Sequence, residues 1–271
     1  MTDEILTAAR AGAIAALDTG RRPWIVGIAH LTGVPLDAGE FSREAVESVI
    51  EIATSTVDFP AGPVGYIPSG FVLDYNADYQ LIRVVGDGAP HLEMQLGLGI
   101  AGFVAVGLTR SDVLDDGTAE PGAVVLSDIE SVVADTFVLA IGAALELDYT
   151  GDIDYLFSVI DSRADVEPTY FAIDEESGEL RRVDTQGRRF EDVESRAAFT
   201  AQTQPRDVHM DIIAVGSQIA LQFGTEPQLV ALKSDDHVGY QGDPLAGNRR
   251  RAERAGRASR LAESPLVLLT G

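Results

Sequence analysis

The sequence lacks cysteine altogether and holds a single lysine, Lys233, among its 271 residues. Without cysteine the chain forms no disulfides, thiolate metal sites, iron–sulfur clusters or cysteine nucleophile. The lysine lies outside any Gly-x-x-x-x-Gly-Lys run, so the common phosphate-binding loop of nucleoside triphosphatases is excluded. A Gly-x-Ser-x-Gly elbow is also missing, which removes the common esterase pattern. Several frequent enzyme classes are therefore closed to this chain.

Long apolar runs and grouped histidines are missing as well. The longest apolar run, residues 96–108, is too short to cross a bilayer and is interrupted by glycines. The first residues lack the basic segment of a secretory signal. The four histidines are far apart in sequence, and none has a partner at metal-ligand spacing: His30, His91, His209 and His237. We therefore expect a cytoplasmic protein with no membrane partner, no metal and no cofactor.

Basic residues are scarce relative to acidic ones, with 20 against 43, which leaves a formal net charge of −23. A surface of this sign repels nucleic acid backbones and anionic lipids. Adaptation to salt and a GC-rich coding bias would each account for the single lysine among the 20 basic residues. The apolar fraction of 45% and the charged fraction of 23% are those of a packed globular protein.

The basic charge that exists is concentrated near the C-terminus. Residues 248–261 carry one glutamate and six arginines: Arg249, Arg250, Arg251, Arg254, Arg257 and Arg260. Two interpretations stay open. The segment is either a solvated tail that folds back on the acidic body, or a docking arm for an acidic partner, a second subunit or nucleic acid.

Three main helices are predicted from apolar periodicity and end signals. The first covers residues 42–55, where Ser42 is a suitable N-cap and Phe41 and Val46 form a hydrophobic staple. The second covers 126–147, with Ser127 and Glu130 as a capping box. The third covers 206–223, with proline before it and glycine after it. A shorter helix is predicted at residues 3–17.

Strand-like runs occupy most of the remaining chain. A buried strand is predicted at 23–31, and four runs at 66–74, 78–85, 91–98 and 101–108 have the short spacing of an antiparallel meander. Four more runs follow near 153–161, 169–174, 178–184 and 197–203. The pattern predicts an α+β fold in which antiparallel meander sheets pack against the three main helices.

The order of elements before and after residue 151 is similar, which raises the hypothesis of two ββββα halves. The proposed organisation is an N-terminal half at 1–151, a second half at 152–233 and an arginine-rich tail at 234–271. The two halves form either separate units or one continuous domain.

Gly97, Gly99 and Gly102 match the spacing of the dinucleotide-binding fingerprint. In a true fingerprint the glycines lead into a helix whose N-terminus holds the pyrophosphate. Residues 103–108 are instead apolar and β-branched, which favours a strand. We interpret the glycines as a tight connection between core strands, with the cofactor loop as the alternative.

These patterns predict a non-catalytic protein-binding, adaptor or chaperone-like module. Its acidic surface and its basic tail would be the contacts, and its partner would be another protein or a second copy of itself. The alternative is an enzyme or sensor that binds a nucleotide or phosphorylated metabolite at the glycine segment. A third possibility is nucleic-acid binding, and only through the arginine tail.

Overall fold

The computed structural model describes residues 2–17, 19–20, 22–35, 39, 41–56, 72–75, 82–85, 92–98, 100, 102–110, 122–163, 168–173, 180–184, 189–200, 202–203 and 205–225. The elements in these ranges are α1 (Thr2–Ala16), β1 (Trp24–Leu31), α2 (Arg43–Thr56), β2 (Val72–Tyr75), β3 (Ile82–Val85), β4 (Leu92–Gly97), β5 (Phe103–Arg110), β6 (Ala123–Val125), α3 (Leu126–Glu146), β7 (Gly151–Ile160), β8 (Thr169–Ile173), β9 (Leu180–Arg182), β10 (Val193–Phe199) and α4 (Pro205–Gln222).

Seven of the strands form one antiparallel sheet in the order β10-β7-β1-β5-β4-β3-β2. A second sheet has the order β6-β8-β9, in which β6 and β8 are parallel. The α+β class and the meander β2-β3-β4-β5 are confirmed. Strands from both sides of Gly151 pair in the large sheet, because β7 lies next to β1.

Helix α3 is the centre of the core. Each residue from Leu126 to Ala144 is buried, and the helix contacts β1 and β5 of the large sheet and β8 of the small one. Helices α2 and α4 pack on its remaining sides. Burying the apolar residues of α3 on every side stabilises this arrangement, since exposing any of them would cost hydrophobic free energy.

Two glycines set how closely α3 approaches its neighbours. A Cβ on Gly27 of β1 would lie 2.1 Å from the Thr136 side-chain oxygen, and a Cβ on Gly142 would lie 2.6 Å from the Val49 carbonyl oxygen of α2. The helix therefore rests directly on the backbone of β1 on one side and on that of α2 on the other.

Three aromatic rings fill the space beside this close approach. Phe137 of α3 stacks on Tyr155 of β7 with ring centroids 3.9 Å apart, and Phe157 lies 6.2 Å from Phe137. Across the strand pair, Gly27 faces Phe157 and Ala29 faces Tyr155. Small residues on β1 and large ones on β7 together give a face that fits the helix.

The opposite face of the large sheet carries a smaller core under α1. Trp24 is fully buried there, and Leu6 and Leu17 pack onto this face. Arg10 of α1 donates from Nε to the Ser158 hydroxyl at 2.9 Å and pairs with Asp192 at 3.1 Å. The buried strand predicted at 23–31 is confirmed, since each residue of β1 is buried.

The start of α2 is confirmed in detail. The amide nitrogen of Ala45 donates to the Ser42 side-chain oxygen at 3.2 Å, and Phe41 and Val46 are both buried. The predicted capping box of α3 is wrong. Helix α3 already begins at Leu126, and its N-cap, Val125, makes no side-chain capping bond. The physical reason is that β6 runs directly into the helix and places Ser127 inside the first turn.

The second half departs from the first in its strand pairing. Strands β7 and β10 belong to the large sheet, whereas β8 and β9 belong to the small one, so the meander of the first half is not repeated. The last strand also begins earlier than the predicted 197–203, at Val193. Strand β6 was not anticipated, because three residues are too few to show a period of two.

No helix in the described ranges is both long enough and apolar enough to cross a membrane.

Candidate functional site

The glycine segment lies at the connection between β4 and β5. Gly97 ends β4, Gly102 immediately precedes β5, and Gly99 lies outside the described residues. The residue after Gly102 begins a strand, so the helix N-terminus that a phosphate-binding fingerprint requires is not there. The interpretation as a connection between core strands is confirmed at its β5 end.

The backbone conformation and the packing at position 102 both favour glycine. Its φ is +76°, in the left-handed region that favours glycine, and a Cβ would lie 2.5 Å from a Val34 methyl carbon. Its carbonyl oxygen accepts from the Leu31 amide at 2.9 Å. The turn therefore packs against Val34. The carbonyl oxygen of Val34 lies 3.1 Å from His30 Nε2.

His30 and Asp154 form a buried polar pair on the large sheet. The two residues face each other across the β1–β7 pair, and each is only 3% exposed. The Thr32 hydroxyl donates to one Asp154 carboxylate oxygen at 2.8 Å, and Arg196 Nε donates to the other at 2.5 Å. Asp154 therefore joins β1, β7 and the edge strand β10 through charge-assisted hydrogen bonds.

The chemistry open to this polar pair is limited by its burial. Within the described residues, His30 Nδ1 has no hydrogen-bond partner, but the atom is buried, so a substrate does not reach it in this conformation. Both oxygens of Asp154 are already bonded by neighbouring strands. Asp154 holds neighbouring strands together, and the buried pair lacks the open side from which a general base acts.

Metal binding finds no support in the described ranges, where no three His, Asp or Glu side chains come together in a way that could hold an ion. The six arginines proposed as a partner-binding segment, at positions 249–260, lie outside the described residues. Their role stays a prediction.

The most unusual surface in the described chain is on α4. Its buried side is formed by Val208, Ile212, Val215 and Ile219. Its exposed positions follow one stripe, at spacings of three and four residues: Asp207, Met210, Ala214, Gln218 and Leu221. Met210 is 46% exposed and Leu221 is 74% exposed, and they are the large exposed hydrophobic residues of the described chain. We call Met210, Ala214, Gln218 and Leu221 the α4 stripe.

The α4 stripe is uncharged. From Ile212 to Phe223 the helix has no acidic or basic residue, in a chain whose net charge is −23. A surface helix of an acidic protein normally turns charged side chains to water. Leu221 has no charged residue within one turn of it, whereas Met210 lies next to Asp211 and one turn from Asp207. Exposed large apolar side chains are typical of surfaces that contact other proteins.

The first turns of α4 carry the charge that the stripe lacks. Burial, and secondly the nearby Asp207, raise the pKa of Asp211 above its ordinary value of 3.8. Burial raises the pKa of Tyr155 as well, and the charge of Asp211 adds to that effect. The Asp211 carboxylate is therefore close enough to Tyr155 to influence the pKa of its hydroxyl.

Replacing Asp211 with asparagine is expected to raise the free energy of unfolding at pH 7. A carboxyl whose folded-state pKa is raised destabilises the fold when it ionises, so native stability falls as pH rises through that pKa. The advantage of asparagine should shrink as pH is lowered from 7 and disappear below about pH 3.9, where the unfolded carboxyl is also protonated. Urea unfolding of both proteins across this pH range measures the difference in their free energies of unfolding. Lower stability of the variant at pH 7 would contradict the argument.

The sequence interpretation missed Met210 and Leu221. Apolar periodicity predicts the helix at 206–223 and its buried side, but it does not show how far the residues on the other side are exposed. The available signal was the missing charge from Ile212 onward, which a count of charges along each predicted helix would have found.

Comparison of the chain with protein-family models, with characterised proteins and with solved structures yields no match.

Proposed function

We propose that this chain is a non-catalytic protein-binding module and that the α4 stripe is its docking surface. The observation that carries the proposal is the exposure of Met210 and Leu221 on one side of α4, a helix with no charged residue after Asp211. The two residues are eleven positions apart, which is about 16 Å along a helix axis. A stripe of this length fits the side of one partner helix.

The composition of the stripe supports a helical partner. Ala214 lies between the two large residues and leaves room for a second helix to approach, while Gln218 offers a polar group for hydrogen bonding. Helix-in-groove contacts use anchors at the same three- and four-residue spacing. Burial of two such anchors provides the main gain in binding free energy.

The small-ligand alternative has less support, because a strand follows Gly102 where a phosphate site needs a helix. The arginine segment remains a proposed second contact for an acidic partner. The arginine segment and the α4 stripe would be separate contacts, because the stripe has no carboxylate with which an arginine could pair.

Site-specific photo-crosslinking in cells tests the docking surface. A photoreactive phenylalanine at Gln218, in the middle of the stripe, is expected to capture a discrete polypeptide. Leu221→Glu in the same chain should abolish the adduct, because a charge at the stripe must be desolvated on binding.

The matched control places the same photoreactive group at Glu47, an exposed position on α2. The adduct should not form from that position. Equal capture from both positions, or capture that survives Leu221→Glu, would remove the support for the α4 stripe as a docking surface.

A further inference from the structure

We infer that the outer edge of β10 pairs antiparallel with the same edge of a second copy of this chain, which joins the two large sheets into one. Strand β10 is the first strand of its sheet, and no strand in the described part of the chain pairs with its other side. Such an edge presents a row of N–H and C=O groups to a further strand. The contact is separate from the α4 stripe and does not depend on it.

The hydrogen bonding of β7 shows which backbone groups of β10 point outward. The Thr32 amide donates to the Asp152 carbonyl oxygen at 2.9 Å, so the even-numbered residues of β7 direct their backbone groups to β1. The odd-numbered residues of β7 therefore bond the odd-numbered residues of β10 that lie opposite them. The backbone groups of Glu194, Arg196 and Ala198 consequently point away from the sheet.

The charges on β10 are self-complementary about Ser195. Glu194 and Arg196 lie on either side of it, and both are exposed. An isologous contact needs such a pattern, because each residue meets the one at the same distance on the other side of the two-fold axis. With the axis at Ser195, each Glu194 lies opposite Arg196 of the partner subunit. An axis at Glu194 or at Arg196 would place two like charges opposite each other, so charge favours a second copy in one register.

Arg196 is already held on the face where the second carboxylate would arrive. Its Nε donates to Asp154 at 2.5 Å, and its side chain is nevertheless 51% exposed. A guanidinium has five N–H donors in a fixed arrangement, so it can serve more than one carboxylate. Because Asp154 already restrains the side chain, less conformational entropy is lost when Glu194 of the partner subunit approaches.

The net charge of −23 on each copy opposes association. Paired strands lie about 4.8 Å apart, however, and charges are screened beyond about 8 Å at physiological ionic strength. The pairs of unlike charge act inside this distance, whereas most of the acidic surface lies outside it. One strand pair is also smaller than a standard interface, so we expect a dissociation constant on the order of 100 μM at physiological ionic strength.

A single thiol tests the register, because the chain has no cysteine of its own. In the inferred dimer Ser195 lies opposite its copy in a non-hydrogen-bonded pair, where Cα atoms are about 4.5 Å apart. This distance is within the range of about 4.4 to 6.8 Å that a disulfide spans. Ser195→Cys is therefore expected to form a covalent dimer under mild oxidation, as measured by non-reducing electrophoresis.

Ala198→Cys is the matched control on the same strand. Ala198 is exposed, but the two copies of position 198 would lie about 20 Å apart along the paired strands. The variant should therefore stay largely monomeric under the same oxidation. Equal rates of dimer formation from positions 195 and 198 would overturn the register.

Glu194→Arg in the Ser195→Cys chain tests the charge pairs. It replaces both unlike pairs with like ones and is expected to slow dimer formation by about tenfold or more. Glu44→Arg, at an exposed position on α2, changes the net charge equally and should leave the rate within about twofold. An equal effect of the two substitutions would mean that net charge, and not strand pairing, sets the rate.

Glu194→Pro separates edge pairing from folding. Its missing N–H is one that β7 does not use, so the urea unfolding midpoint should stay close to that of the unaltered chain. Self-association of the otherwise unaltered chain, measured by sedimentation equilibrium, should be lost in this variant. A full chain that sediments only as a monomer at about 1 mM, or a folded Glu194→Pro variant that still dimerises, would overturn the inference.

Discussion

Phe137→Ala is expected to lower the free energy of unfolding by about 4 kcal/mol. Phe137 is 1% exposed, and its ring stacks on Tyr155 at 3.9 Å between the central helix and the sheet. The substitution removes the hydrophobic transfer energy and leaves a cavity that the strands cannot close, because Gly27 already holds α3 against β1. Urea unfolding followed by circular dichroism measures the difference.

Phe137→Leu is the control, since it keeps most of the volume and should cost less than half as much. The two variants distinguish a cavity from a loss of the ring itself. If Phe137→Ala and Phe137→Leu lower the free energy of unfolding equally, the stabilisation comes from the ring stack and the cavity argument is wrong. A change of less than about 1 kcal/mol for alanine would mean that α3 is not seated on the sheet as described.

Gly142→Ala is expected to destabilise the protein by about 2 kcal/mol, although alanine is the better helix former. The new methyl group would lie 2.6 Å from the backbone oxygen of Val49, so one helix must move away from the other. Trimming Val49 to alanine should not restore stability, because the obstructing atom belongs to the backbone. Thermal and urea unfolding of both variants measure this.

Gly12→Ala is expected to raise the free energy of unfolding in the same experiment. Gly12 lies inside α1, and a Cβ added there would have no neighbouring atom within 4 Å, so alanine should stabilise by about 0.5 to 1 kcal/mol. Stabilisation by both substitutions would show that α2 and α3 are not in close contact at Gly142.

Much of the fold follows from the sequence, because its strongest signals are local. Ser42 caps α2 as expected, since a side-chain cap acts over three residues. The meander β2–β5 was predictable from short, evenly spaced apolar runs, and sequential strands tend to pair. The glycine before β5 was correctly assigned to a turn, because the β-branched residues after it favour a strand.

The errors occurred where a distant partner decides the outcome. Whether β8 and β9 join the large sheet depends on α3, which contacts both sheets, and no spacing in the sequence shows that. Ser127 has every property of a cap but begins no helix, because β6 pairs with β8 and passes directly into α3. Met210 and Leu221 were missed because exposure is a property of the packed molecule.

The pairing of β1 with β7 has a consequence for synthesis on the ribosome. Strand β1 is complete at Leu31, but its neighbour β7 ends only at Ile160, nearly half of the 271-residue sequence later. Until then the nascent chain presents an apolar strand with one unpaired edge, and such edges recruit other chains. Non-local pairing of this kind also slows folding. We therefore expect productive folding to begin only after β7 has emerged.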